Sequence, residues 1–141
     1  MSASLKTGIG FWGSLLSMAV LLGSCTKDSG PVIIRPETDT VSFNDTIIPI
    51  LVTNCVSGCH PGFGALDLTA TNAYTDLVNV ASINYPPGLR VSPQDPEGSV
   101  FYQKIVGNTQ YGSVMPPAPP PLTDEETGLI YDWIKQGALD N

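Results

Sequence analysis

Six consecutive residues, Cys55-Val56-Ser57-Gly58-Cys59-His60, constrain this chain more than any other feature. Two thiols and an imidazole in so short a segment allow three readings. The thiols can form thioethers to the two vinyl groups of a porphyrin, with the adjacent imidazole on its iron. Cys-x-x-Cys-His is the usual spacing for covalent haem, and here one more residue separates the cysteines. The thiols can instead close a small disulfide, provided the protein is exported. Zinc is the third reading, but it wants four tetrahedral ligands. Adjacent Cys59 and His60 serve one ion awkwardly, and beyond Cys25 the chain has no further Cys and no further His. Four residues advance a helix by about 400°, which would keep both thiols on one face about a turn apart. Gly58 can also take a positive φ and absorb the added residue in a local loop.

The front of the chain bears on export. Lys6 precedes an apolar stretch from Gly8 to Gly23 that carries Phe11, Trp12, Leu15, Leu16, Leu21 and Leu22. That pattern is the charged start and apolar body of a bacterial export signal. Gly and Ser interrupt it, and it is short for a helix crossing ~30 Å of hydrocarbon; a retained anchor helix is the competing reading. The stretch ends Leu22-Gly23-Ser24-Cys25, which resembles the lipobox of bacterial lipoprotein signals. The resemblance implies a signal peptide over 1–24, cleavage before Cys25 and acylation of Cys25. It thereby implies a lipid-anchored protein of the cell envelope, on its periplasmic or outer-membrane face. Each buried CH₂ of an acyl chain adds ~0.8 kcal/mol of membrane affinity. An ordinary signal with a free thiol at Cys25 is the alternative.

After such a cut, five basic residues (Lys27, Arg35, Arg90, Lys104, Lys135) stand against all thirteen acidic ones. This balance argues against nucleic acid, which calls for a basic patch. It suits docking to a partner with a basic surface, or plain solubility. Residues 25–40, with two prolines and little periodicity, read as the lipidated Cys followed by a flexible tether with a reach of ~20 Å.

The domain is expected over 41–141. Ser42 with Asp45 makes an N-cap and acidic first turn. Phe43, Ile47, Ile50 and Leu51 then share one face at helical spacing. Pro49 within this stretch removes a backbone hydrogen bond and predicts a kink. Further helices are predicted from Ala73 to Val80 and from Val100 to Val106, the latter capped by Ser99 and ended by Gly107. Thr123 and Glu126 form a capping box for a final helix whose apolar face holds Leu129, Ile130, Trp133, Ile134 and Ala138. Nothing between the helices alternates convincingly as strand. The fold class is therefore all-α, with long Pro- and Gly-rich loops. Such a domain buries a thin core, which a large apolar prosthetic group would supplement.

Outside the export segment the chain holds one His and one Met, His60 and Met115. A His/Met pair is an iron ligand set of electron-transfer haem proteins, and the thioether raises the reduction potential. Pro116 and Pro117 follow Met115 and restrict its backbone, and Pro119, Pro120 and Pro121 continue a stiff segment up to the last helix. A Met filling a core gap is the plainer alternative.

These pieces together resemble the small cytochrome c domains, including the planctomycete-type ones, found in secreted bacterial proteins and lipoproteins. The matching stretches are Ile48-Pro49-Ile50-Leu51 to Asn54-Cys55, Cys59-His60, Leu66-Asp67-Leu68, Arg90-Val91-Ser92-Pro93 with Asp95-Pro96, and Ser99 to Ile105. Met115-Pro116-Pro117 and the run from Leu122 through Trp133 to Ala138 complete the series. The three-residue spacer between the cysteines departs from the family. The resemblance implies one covalent haem c held by Cys55 and Cys59 with His60 and Met115 on iron. It further implies a crevice between the first and last helices and the work of an electron carrier rather than an enzyme. On that basis Phe63, Leu66, Leu68, Ile105 and Trp133 become candidates for packing on haem, with ordinary core as the alternative. Arg90 could serve a haem propionate or lie solvated. Two other functions stay open: a haem sensor or small haem enzyme whose Met115 leaves the iron, and a haem-free interaction lipoprotein with a disulfide.

Overall fold

The computed structural model describes residues 39–62, 65–117 and 120–141. The expectations for the export segment, for Cys25, for the tether up to residue 38 and for Phe63 lie outside the described residues. The described part falls in a compact unit, Pro36–Asn141. It is helical, and among the described residues no strand forms. Only isolated bridges occur, such as Val78 with Val91 and Ala81 with Leu89.

The chain enters a helical run over 43–56 through Ser42, whose Oγ accepts the Asp45 N–H at 3.0 Å. Three pieces make up the run: π turns over Phe43–Ile47, α turns over Ile48–Leu51 and π turns again over Val52–Val56. Pro49 cannot donate, and its ring presses on the carbonyl four residues back. The wide turn before it, with the Ile48 N–H reaching Phe43 O, lets the helix pass an exposed Pro49 without ending. The first N–H groups of a helix have no partner within it. Here the far end of the chain supplies some: Phe43 N–H donates to Asn141 Oδ1 and Asn44 N–H to Asn141 O, both at 2.9 Å.

Phe43, Ile47 and Leu51 turn inward against Ile130, Trp133 and Ile134 of the last helix, Asp124–Lys135. The Trp133 ring stacks on Phe43 with centroids 5.1 Å apart, and Tyr74 meets Phe43 edge-on at 5.3 Å. Such pairs add ~0.5–1.5 kcal/mol beyond the area they bury. The last helix starts as expected, with Thr123 and Glu126 bonded reciprocally.

Two expectations are corrected. The helix predicted to Val80 stops at Leu77, because Val78 is extended and Asn79 takes φ +60 to pair its N–H with Val91 O. Ser99 does precede the Val100–Ile105 helix but makes no cap bond. It is fully buried, and its Oγ donates to Asp95 O at 2.7 Å and accepts from Ser92 N–H at 2.8 Å. Its hydroxyl is spent on tying down the preceding loop. Gly107, at φ +74, ends that helix as anticipated.

Candidate cofactor site

The end of the first helical run opens onto a cavity of about 590 Å³, within the range of ~300–1,000 Å³ typical of small-molecule and cofactor sites. Cys55, Cys59, His60, Arg90 and Met115 all line it. Five residues singled out in the sequence, scattered over 61 positions from Cys55 to Met115, therefore meet on one concavity. Leu66, Leu68 and Leu77 add an apolar wall, and Val100, Phe101 and Ile105 another.

The two cysteines do not ride on one helix face. The helix stops at Val56, and residues 56–59 form a tight turn. Ser57 lies at φ −62 and ψ 102, Gly58 at φ +77, and the Cys59 N–H reaches Val56 O at 3.3 Å. This is type II turn geometry, which requires positive φ at its third residue. A Cβ on Gly58 would meet nothing within 4 Å, so φ alone demands glycine here. The His60 N–H closes the turn on Cys55 O at 3.1 Å. The extra spacer residue is thus absorbed in the turn, which returns Cys59 and His60 to the cavity.

Both thiols are free. Burial pushes the Cys55 thiol up to about 11, with the Cys59 sulfur and the Glu126 carboxylate adding to the shift. Cys55 is accordingly protonated at neutral pH and a weak nucleophile. The half-buried His60 ring places Nδ1 3.0 Å from Leu66 O. A carbonyl only accepts, so Nδ1 is the donor, and in the neutral ring this leaves the lone pair on Nε2, the arrangement found behind metal-bound imidazoles.

Met115 is half-buried on the loop between the Val100–Ile105 helix and the last helix, and its N–H donates to Lys104 O at 3.0 Å. Arg90 is already engaged. One terminal nitrogen donates to Asp76 O at 2.7 Å, the other to Ala65 O at 3.1 Å, and Asp76 Oδ2 lies 3.8 Å away. Five N–H donors per guanidinium leave capacity for a further anion.

Sequence reasoning missed Lys104, the second cation on the cavity wall. Its signal was present: Phe101, Lys104 and Ile105 fall at helical spacing, so a charge interrupts an apolar face. Among the described residues the lining contains no Asp or Glu. Trp133, expected against the cofactor, is 1% exposed in the core beside Phe43 and does not line the cavity. Among the described residues no side chain of the last helix lines it either. The crevice is bounded by the first helical run, the 82–85 loop and the Val100–Ile105 helix instead. The last helix acts from behind, through Glu126 Oε1, which accepts from Asn54 Nδ2 at 3.0 Å beside Cys55.

Among the described residues no three His, Cys, Asp or Glu side chains gather to hold a bare metal ion. No protein family, curated protein or solved structure matches the chain. One imidazole, one thioether, two thiols and two cations share an apolar wall, a donor set whose chemistry is compatible with a porphyrin iron, for which the macrocycle supplies four ligands and the protein two.

Proposed function

We propose that this chain is a mono-haem c-type cytochrome that works as a membrane-anchored electron carrier. The observation that carries the reading is convergence: the chain's single His, its Cys pair and Met115 share one largely apolar cavity. Cys55 and Cys59 would each add S–H across a vinyl group to give thioethers. His60 would take one axial position of the iron and Met115 the other. A haem iron held this way shuttles one electron without an open coordination site. The chain's part is to keep the imidazole oriented through Leu66 O, to surround the ring with Leu66, Leu68, Phe101 and Ile105, and to meet the propionates with Arg90 and Lys104. Lipid on Cys25 would hold the domain at the cell envelope, where a redox protein with a basic surface is the expected partner.

Pyridine haemochrome and intact mass on the full chain, expressed with a competent haem-attachment system, test this. The expected result is one covalent haem with a spectrum of two saturated vinyl groups. A mass equal to apoprotein plus lipid, with Cys55 and Cys59 joined as a disulfide, would replace this reading with that of an interaction lipoprotein. Covalent haem that binds carbon monoxide at once on reduction would replace it with a sensor or enzyme.

A further inference from the structure

The loop that carries Met115 is held at one point by two side chains from different walls of the cavity. The Tyr111 carbonyl accepts from Tyr85 Oη at 2.6 Å and from Lys104 Nζ at 2.8 Å. A carbonyl has two lone pairs, and both are used. The Tyr85 and Tyr111 rings also pack with centroids 5.3 Å apart, and Lys104 Nζ stands 5.5 Å from the Tyr85 ring centre. Lys104 grips the loop twice, since its own carbonyl accepts the Met115 N–H at 3.0 Å. Between these grips Gly112 takes φ +79, and a Cβ there would lie 2.9 Å from Tyr85 Oη. Only glycine lets the loop close on that hydroxyl.

We infer that Tyr85 and Lys104 are positioning residues that clamp the 107–115 loop through the Tyr111 carbonyl and so hold the Met115 thioether at the cofactor. The inference rests on the proposed haem function for what Met115 is held against. Neither residue lies on the Met115 segment itself, and Tyr85 comes from the opposite side of the Val100–Ile105 helix in sequence. The loop is also tied to the preceding helix at its start, where the Asn108 N–H donates to Gln103 O at 3.0 Å and Asn108 Nδ2 to Gln103 Oε1 at 2.7 Å. Its one helical piece is the Thr109–Tyr111 turn, capped by Asn108 Oδ1 accepting the Gln110 N–H at 3.1 Å. A weak axial ligand on such a loop is displaced as often as the loop opens, so the clamp sets how long the iron stays closed to small molecules.

Tyr85→Phe is the discriminating variant, because it keeps the ring contact and removes only the hydroxyl. Two readouts are taken on the full chain. Amide hydrogen exchange at Met115 reports loop opening whether or not haem is attached, and carbon monoxide binding to the reduced haem protein reports displacement of the thioether. Both should rise about fivefold in Tyr85→Phe, the factor that follows from losing one hydrogen bond of typical net strength. Adding Lys104→Met should raise amide exchange at Met115 in the haem-free chain to about 25-fold if the two bonds act independently. Gly112→Ala should also open the loop, with both donors retained, because its Cβ would lie 2.9 Å from Tyr85 Oη and push that hydroxyl off the Tyr111 carbonyl. The Trp133 core should melt unchanged in all of them. Unchanged exchange and carbon monoxide rates in haem-loaded Tyr85→Phe would overturn the clamp and leave the cytochrome reading intact. A parent chain that takes up no haem would overturn that reading and, with it, the assignment of Met115 to iron.

Discussion

Two parts of one hydrophobic cluster are built to different ends. On one side Phe43, Ile47 and Leu51 meet Ile130, Trp133 and Ile134, every one of them at most 1% exposed. Apolar groups there are satisfied by other apolar groups of the same chain. On the other side Leu66, Leu68, Leu77, Phe101 and Ile105 face a cavity shared with a His, two thiols, a thioether and two cations. The first side does the ordinary work of stability. The second presents apolar surface together with ligating atoms, which is the surface a large flat prosthetic group would complete. The contrast teaches that a thin α-helical domain can use one hydrophobic cluster in two ways, closed on itself at one end and lining a cavity at the other.

On the proposed haem function, the comparison should break most severely where the cavity loses the residues assigned to hold the cofactor. Cys59→Ala or His60→Ala should abolish most haem-dependent peroxidase staining on a denaturing gel and lower the thermal midpoint, because the apolar wall loses its partner. No second imidazole exists to replace His60. If the stain survives in both variants, the cavity does not hold haem through these residues.

Next in size is damage to the side that closes on itself. Trp133→Ala removes a ring stacked on Phe43 and an indole N–H that donates to Leu139 O at 2.9 Å. It should cost ~3–5 kcal/mol in chemical denaturation while leaving the visible spectrum of the folded haem protein in place. A spectral change as large as that from a ligand variant would show that the two sides are not separable.

Met115→Ala should do the reverse. The weak far-red charge-transfer band of Met-ligated ferric haem should vanish, the potential should fall with loss of the thioether, and carbon monoxide should bind without delay. The half-buried side chain contributes modestly to packing, so stability should drop by less than ~2 kcal/mol.

A smaller effect sharpens the link between the sides. The Thr123 N–H, donating to Glu126 Oε2 at 2.8 Å, is the largest reason the Glu126 carboxyl titrates below its ordinary range. A lowered folded pKa means a contribution that is complete above the unfolded glutamate value and is lost as pH falls through the folded one. Glu126→Gln keeps one acceptor for the Thr123 N–H but presents an NH2 where Oε1 accepted from Asn54 Nδ2, so it should flatten acid destabilisation below that range and lower neutral stability by about 1 kcal/mol. An unaltered acid limb would remove Glu126 from the account. Smallest for the domain is Cys25→Ala, which should shift the protein from membrane to soluble fraction and leave melting and spectrum untouched; membrane retention with normal processing would refute the lipobox.

Much of this was legible in one dimension, and the reason is the range of the forces involved. A capping box, a type II turn and a helix face need partners only a few residues away. Thr123 with Glu126, Gly58 at positive φ and the inward row of Phe43, Ile47 and Leu51 could therefore be read from spacing alone. The adjacency of Cys59 and His60 confines the imidazole to the thiol pair whatever the rest of the chain does. Ser99 misled because a hydroxyl before a helix has two local uses, and the Asp95 carbonyl won over the free N–H groups.

Only tertiary structure could choose among side chains of equal hydrophobicity. Trp133 and Phe101 are both apolar and both on amphipathic helices, yet one seals the core and the other lines the cavity. Packing of Phe43 against the last helix decided that, since a ring stacked on Phe43 and almost wholly buried has no surface left to offer a cofactor. The same holds for charge. Nothing local distinguishes Arg90 from a solvated cation, and the spacing of Lys104 with Phe101 and Ile105 says only that it interrupts an apolar face; hydrogen bonds to Asp76, Ala65 and Tyr111 hold both at the cavity wall. Hydrogen bonds within a turn are specified by neighbours in sequence, whereas the gathering of His60, Arg90, Lys104 and Met115 depends on the whole fold and so appears only when the fold is complete.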